Sequence, residues 1–337
     1  MLNILKELCL CSGVTGNESK TADCISSLIF SHVDECYKDK MGNLIAFKKG
    51  KSSQKKIIFS ARMDIAGYMV THIEENGRIR FCAPTKQNPL ALIYSTVTFD
   101  CGAVGLVLPD VPTAKEAKIE DMYVDIGCTS KSEAEKVISL GDTFSFPAHF
   151  TSLLGEKISS NALDSRVCCA LLVKAILCDT LPYYDTYFAF CAQGNFTQRG
   201  ARAAMFPINA DISISFDVSS SEYEENKSLP KVTIGGGVGI LLCDQVAIST
   251  DTLVSMVRNT AKENSLTLQN EFSKVTSSDA SWMQLTSEGC ATCTLTLPIS
   301  NRTTGIQTAS VKDINDALTL LSSLYKSNFA EITGETK

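Results

Sequence analysis

Long apolar runs are missing from this 337-residue sequence. No stretch approaches the roughly 20 consecutive apolar residues that a bilayer span requires, so no membrane-crossing helix is expected. Positive charge is also short: 31 Lys and Arg stand against 37 Asp and Glu, for a net charge of −6. That leaves no basic surface of the kind nucleic acid binding uses. Histidine is limited to His32, His72 and His149, and tryptophan to Trp282, which is expected to be buried. The opening MLNILKELCLCSG is interrupted by Lys6 and Glu7 and reads as an amphipathic helix, not a signal peptide.

What remains is ordinary globular material, 44% hydrophobic and 20% charged, with a length that suits two domains. Cysteine is abundant, at fourteen, and scattered through apolar runs such as Cys168-Cys169 and around Cys243. Disulfide frameworks belong to short secreted chains, so these cysteines read as small hydrophobes in a reducing cytosol. The one CxxC, Cys290 to Cys293, lies in a strand-like segment where period two sends its thiols to opposite faces. No second Cys or His pair lies near it, which argues against a zinc or redox role.

Thr15-Gly-Asn-Glu18 has the form of a capping box opening a helix to about Val33. KMGNLIAFKKG and KKIIFSARMD follow as strands, the second apolar enough for a covered sheet. From about Ala66 to Leu154 the pattern changes to short strands and turns. Met69–Ile73 and Arg78–Cys82 flank the hairpin signal Asn76-Gly77. One helix is evident there, from Ser130 to about Ser139, with Glu133 closing a capping box. After Leu154, SRVCCALLVKAILCDTL, TDTLVSMVRNTAKEN and VKDINDALTLLSSLYKSNF read as helices. TYFAFCAQ, DISISFDVS and CATCTLTLP read as strands. The expected fold is therefore α/β, with a mixed central sheet and flanking helices over residues 1–65 and 155–337, interrupted by a β-rich insert at 66–154. Gly235-Gly-Gly-Val-Gly239 resembles a dinucleotide loop but lacks the strand–turn–helix setting, so a plain turn is expected.

Nine segments occur in a distinctive order: KELCLCSGVTGNES, DKMGNLIAFKKG, ARMDIAGYMVTHIEENGRIRF, KIEDMYVDIG, NALDSR, QGNFTQRGAR, SFDVS, SSDASWMQLTSEG and LPISNRTTGIQTASVKD. Together they resemble the tetrahedral-shell (TET) type of dinuclear metallo-aminopeptidase, whose members are also called glutamyl or deblocking aminopeptidases, endoglucanases or cellulase M. The resemblance covers essentially the whole chain. It implies an aminopeptidase α/β domain, an inserted β-barrel-like domain used for dimer contacts, and assemblies from dimer to dodecamer. It also implies two zinc or cobalt ions sharing a bridging carboxylate and a water, with a glutamate as general base.

The same resemblance places those groups on particular residues, and most are substituted. The His of the family's His-x-Asp corresponds to Arg62, which has no lone pair to give a metal. The Asp of that motif, Asp64, is retained. The bridging carboxylate corresponds to Asp164 and the strand-end carboxylate to Asp217, both retained. The Glu-Glu pair corresponds to Gly194, at the general-base position, and Asn195, at a metal carboxylate. The late histidine corresponds to Thr303. Arg166, Gln193 and Asp279 are expected to line the pocket. Arg199-Gly200-Ala201 is expected to start a helix beside it. Two carboxylates without imidazole lie far outside normal zinc ligation, so no cofactor is expected. The oxygens of Asn195, Asp164 and Asp217 leave only a weak Mg²⁺ or Ca²⁺ site as an alternative. The sharper expectation is that the Arg62 guanidinium enters the vacated metal space and pairs with Asp164 or Asp217. The functional expectation is a cytoplasmic aminopeptidase-family protein that has lost catalysis. It would keep its pocket and homo-oligomeric assembly, take peptides, and join mixed shells with an active homologue. An active metal-dependent aminopeptidase with an atypical site is the alternative. No nucleic acid or membrane partner is expected.

Overall fold

Covered strands need apolar residues on both faces. Ser52–Arg62 supplies them, with Ile57, Ile58, Phe59 and Ala61 all buried. The computed structural model, which describes residues 1–85, 87–111, 117–221, 230, 232–273 and 277–333, sets this strand between two parallel neighbours. Tyr184–Cys191 lies on one side and Ile212–Ser220 on the other. The main path of the 11-stranded mixed sheet runs Glu35–Lys38, Leu44–Lys48, Tyr184–Cys191, Ser52–Arg62, Ile212–Ser220, Ala291–Ser300, Gln307–Ser310, Lys157–Ser160, Phe150–Leu153. Val238–Cys243 and Leu268–Phe272 branch from Ala291–Ser300. Helix Leu163–Ile176 is apolar on every side and all but Lys174 of its residues are buried. It packs between the sheet, the first helix Leu2–Leu10 and helix Val311–Leu324. The CxxC behaves as its period demands: Cys293 lies in the main core, and Cys290 flanks the cluster of Ile45, Ile58 and Met283 across the sheet.

Between the first parallel strand and the return of the sheet, six strands close an antiparallel barrel. In order they are Tyr68–Ile73, Ile79–Cys82, Met122–Asp125, Val104–Pro109, Thr96–Phe99 and Thr143–Ser145. Tyr68, Phe81, Phe99 and Phe144 fill it, with ring centroids 4.8–5.5 Å apart. Gly77 turns the expected hairpin at φ 85°, where a side chain is disfavoured. Asp100 ties the barrel to the N-terminal segment, accepting bonds from Ser12, Asn17 and Thr143.

Several expectations shift in detail. The barrel ends at Ser145, and Phe150–Leu153 already belongs to the large sheet, so the return comes before residue 154. The Thr15…Glu18 capping box does not form. Thr15 donates to Asp64, and Glu18 accepts from Gly16 and Gln193. The helix starts at Ser19, and its α-helical turns to Ile29 continue as a 3-10 turn, Phe30–His32, capped by Val33 as expected. The helix after Ser130 spans only Lys131–Ala134, although Ser130 caps it through Glu133 N. The Gly235 turn is a plain one, its Gly235 and Gly237 N–H groups donating to Asp313 at 2.6 and 2.9 Å. Among the described residues no helix is long and apolar enough to cross a membrane.

Candidate functional site

Ligands of open α/β sheets bind outside the carboxyl ends of the parallel strands, and register brings the candidate residues there. Arg62 ends its strand opposite Cys191. Ala61 is opposite Phe216 on the other side. Chain continuation from those two neighbours puts Gly194 and Asp217 on either flank of Arg62.

Arg62 is 5% exposed. Its Nη2 lies 3.1 Å from Asp217 Oδ1 and donates to the Asp164 main-chain carbonyl at 2.9 Å; Nε reaches the same carbonyl at 3.3 Å. The pairing is thus ionic with Asp217 but through the backbone with Asp164, whose carboxyl Oδ1 is buried without a partner. Gln307 fixes Asp164 from the other side, its Oε1 accepting Asp164 N at 2.7 Å. Burial would make Arg62 easier to deprotonate, but Asp217, then Asp164 and Asp64, hold its pKa above the ordinary value. The aliphatic part of Arg62 lies on Gly194: a Cβ there would fall 2.4 Å from Arg62 Cβ and 3.0 Å from Asp64 Oδ1.

Asp64 is wholly buried and well supplied with donors. Thr15 Oγ1 donates to it at 2.6 Å and Asn195 N at 2.9 Å. Asn195 Nδ2 donates to the Asp64 carbonyl at 2.9 Å. Burial pushes the Asp64 carboxyl up to about 6, with the Thr15 bond and the Arg62 charge pulling it back. Gln193 adopts left-handed backbone at φ 54° and its N–H goes to Glu18 at 2.8 Å. Arg166, expected to line the pocket, is spent elsewhere. It donates to the carbonyls of Leu8, Met63 and Cys11 and to Thr21 Oγ1, so it braces the first helix against the sheet.

Asp279 opens helix Asp279–Gln284 behind the cap residue Ser278. It is buried, and neither carboxyl oxygen has a hydrogen-bond partner. The Cys191 thiol and the charges of Asp217 and Arg62 bear on it. Burial first, and then Asp217, push it up to about 7. Arg199–Ile208 does form a helix next to this cluster, and Gly200 sits close enough to Ala192 and Asn43 to exclude a side chain.

Thr303 is exposed on the turn before Gln307–Ser310. Its neighbour Arg302 was not singled out by sequence, yet its charge bears on Asp164, Asp217 and Glu271, and burial followed by Arg62 lowers its pKa. The available signal was its place beside a substituted position. Glu271, equally unforeseen, accepts short bonds from Ser219 and Thr296.

The donor set does not fit the zinc or cobalt pair that the resemblance implied. Among the described residues no three His, Cys, Asp or Glu side chains are grouped to hold a metal ion. His72 lies on a barrel strand, His32 in the turn after the second helix, and His149 beside Pro147. A fixed guanidinium stands against Asp217 and the Asp164 carbonyl, and Asn195 is bound to Asp64. The weaker Mg²⁺ or Ca²⁺ arrangement meets the same cation, and Asn195 directs its amide N–H, not its oxygen, at Asp64 O.

Comparison with known proteins gives a consistent result. The family profile for M42 glutamyl aminopeptidase matches residues 42–320. A protein of Acetivibrio thermocellus, provisionally named an aminopeptidase, is 35% identical over 323 residues, covering 95% of this chain and 97% of its own. Among solved structures, a TET aminopeptidase from the marine sediment archaeon Thaumarchaeota archaeon SCGC AB-539-E09 superposes with a TM-score of 0.91 at 22% identity over 98% of both chains. The Pyrococcus horikoshii TET1 peptidase, which can assemble into a tetrahedron or a large octahedral shell, gives a TM-score of 0.87 at 24% identity over 97% of this chain and 99% of its own.

Proposed function

Because the chain belongs to the M42 glutamyl aminopeptidase family, we propose that it is a member whose peptidase centre has been replaced by a built-in ion pair. The observation that carries this reading is the Arg62 guanidinium, 3.1 Å from Asp217 and 2.9 Å from the Asp164 carbonyl, packed on a glycine at 194. A permanent cation satisfies carboxylates that would otherwise repel one another. Gly194 brings no carboxylate that could take a proton from water. Among the described residues no metal-binding set converges there. In this reading the cluster retains a peptide-binding pocket with its catalytic machinery gone.

The reading extends to assembly. The Pyrococcus horikoshii relative forms closed shells, and the barrel is kept whole here with Val104 and Leu106 exposed on its surface. We therefore assign the barrel to dimer contacts within a homo-oligomer, able to take up subunits of an active homologue. Fourteen unpaired cysteines support residence in a reducing cytoplasm.

The test is hydrolysis of aminoacyl anilides by the full chain with added Zn²⁺ or Co²⁺, together with metal content by mass spectrometry after desalting. The expected result is turnover indistinguishable from a protein-free blank and far less than one ion per chain. Turnover with one or two bound ions would establish the active alternative. Co-expression with an active homologue followed by native mass spectrometry tests the mixed shell; separate homo-oligomers would remove that part of the proposal.

A further inference from the structure

Arg302 lies in the turn between strands Ala291–Ser300 and Gln307–Ser310. Thr304 N closes the turn, donating to Asn301 O at 3.0 Å. Gln307 holds it from the other side, its Nε2 donating to Arg302 O at 2.9 Å. The same Gln307 accepts Asp164 N through Oε1, and Asp164 O accepts the Arg62 guanidinium. A run of hydrogen bonds therefore fixes the Arg302 turn against the residues of the candidate site. Thr303, the next residue, is exposed, so solvent reaches the turn.

The Arg302 side chain is half-buried. Among the described residues, none of its N–H donors meets an acceptor and no carboxylate lies within 4.0 Å of it. Arg62 differs: its Nε and Nη2 are committed to Asp164 and Asp217. A guanidinium taken partly out of water without a partner loses hydration and gains nothing back. The nearby acids have other donors. Asp217 is held by Arg62, Glu271 by Ser219 and Thr296, and Asp64 by Thr15 and Asn195. Asp164 and Asp279 keep unpartnered oxygens, and burial favours the protonated form of both, which weakens their repulsion of an anion. The unmet donors of Arg302 thus call for an acceptor from outside the chain. The planar fork of a guanidinium matches a carboxylate through two parallel bonds.

We propose that Arg302 is the seat of a ligand carboxylate, so that the pocket takes peptides by a carboxyl group, at the C-terminus or on an acidic side chain. The inference rests on the retained-pocket reading above and names what that pocket holds.

The experiment is isothermal titration calorimetry of the full chain with trialanine, trialanine amide and acetyl-Ala-Glu-Ala-amide. Trialanine should bind more tightly than its amide by about tenfold or more, the effect of losing a charged hydrogen-bonded partner. Binding of the glutamyl peptide at the strength of trialanine assigns the seat to any carboxylate; binding at the strength of the amide assigns it to the C-terminus. Arg302→Gln should bring trialanine down to the affinity of the amide and leave the amide unchanged. Arg302→Lys, which keeps the charge and loses the fork, should fall between. Equal binding of trialanine and its amide to the parent overturns the inference, with no variant needed. So does an absence of binding, or an Arg302→Gln protein that still prefers the acid. Equal binding without hydrolysis leaves the inactive-site reading standing. Release of alanine with the acid preference intact overturns that reading and supports the carboxylate seat.

Discussion

Asp64 and Asp279 are both buried carboxyls within the electrostatic reach of Arg62, yet they are opposites. Asp64 takes bonds from Thr15 and Asn195, and its carbonyl takes a third. Asp279 has no partner for either oxygen. Burying an ionised carboxyl is costly unless donors or a counter-charge compensate. Asp64 is compensated, so it acts as a brace that joins the N-terminal segment to the Asn195 turn. Asp279 is not, so both of its oxygens keep bonding capacity, where Asp164 leaves only Oδ1 unpartnered. That difference separates side chains kept for architecture from those whose presence architecture does not explain.

The most damaging way to break the comparison is to remove the cation that both aspartates feel. Arg62→Met leaves the partly buried Asp217 and the buried Asp164 carbonyl without their partner, and should cost about 3 kcal/mol in urea unfolding. Pairing it with Asp217→Asn should recover much of that loss. Gly194→Ala should come next, at about 3 kcal/mol, because its Cβ meets Arg62 Cβ. In the Arg62→Ala background the same change should cost far less, and a double-mutant cycle measures the coupling. Asp64→Ala, which strands the Thr15 hydroxyl and the Asn195 N–H, should cost about 2 kcal/mol.

Asp279→Asn should go the other way, and its sign depends on pH. The folded carboxyl titrates near 7 against 3.8 for an ordinary one. The folded form therefore holds its proton more tightly. The Asp279 contribution is most favourable below about pH 4, and is lost as pH climbs toward 7. The penalty at pH 8 is about 4 kcal/mol, offset in the variant by about 2 kcal/mol for a buried unpaired amide. Asp279→Asn should thus be more stable than the parent by about 2 kcal/mol at pH 8, and no more stable at pH 4, in paired denaturant titrations. An equal or lower stability at pH 8 would mean that Asp279 has donors after all.

The covered strands, the Asn76-Gly77 hairpin and the buried helix starting near Asp164 were readable because each is set by local pattern: apolar runs, turn chemistry, period. The resemblance points to Arg62, Asp164, Asp217 and Gly194, and elementary charge reasoning expects the guanidinium to seek an aspartate, which it does at Asp217. It did not foresee that Asp164 answers with its backbone, because that depends on how the helix start is pinned by Gln307. Thr15 and Glu18 have the local form of a cap, but both have better partners far along the chain, Asp64 and Gln193. Nothing local distinguishes Arg302 from a solvated arginine, because the charges that bear on it, Asp164, Asp217 and Glu271, lie far along the chain.

The bare backbone at residue 194 also constrains the paths open to this sequence over time. With Arg62 lying across it, any side chain that arrives at 194 collides with the arginine, while any change that first removes the arginine exposes Asp217. Each single step is penalised although the pair of steps need not be. The two positions form a latch: while arginine lies on glycine, a carboxylate at 194 is not reachable by one substitution at a time.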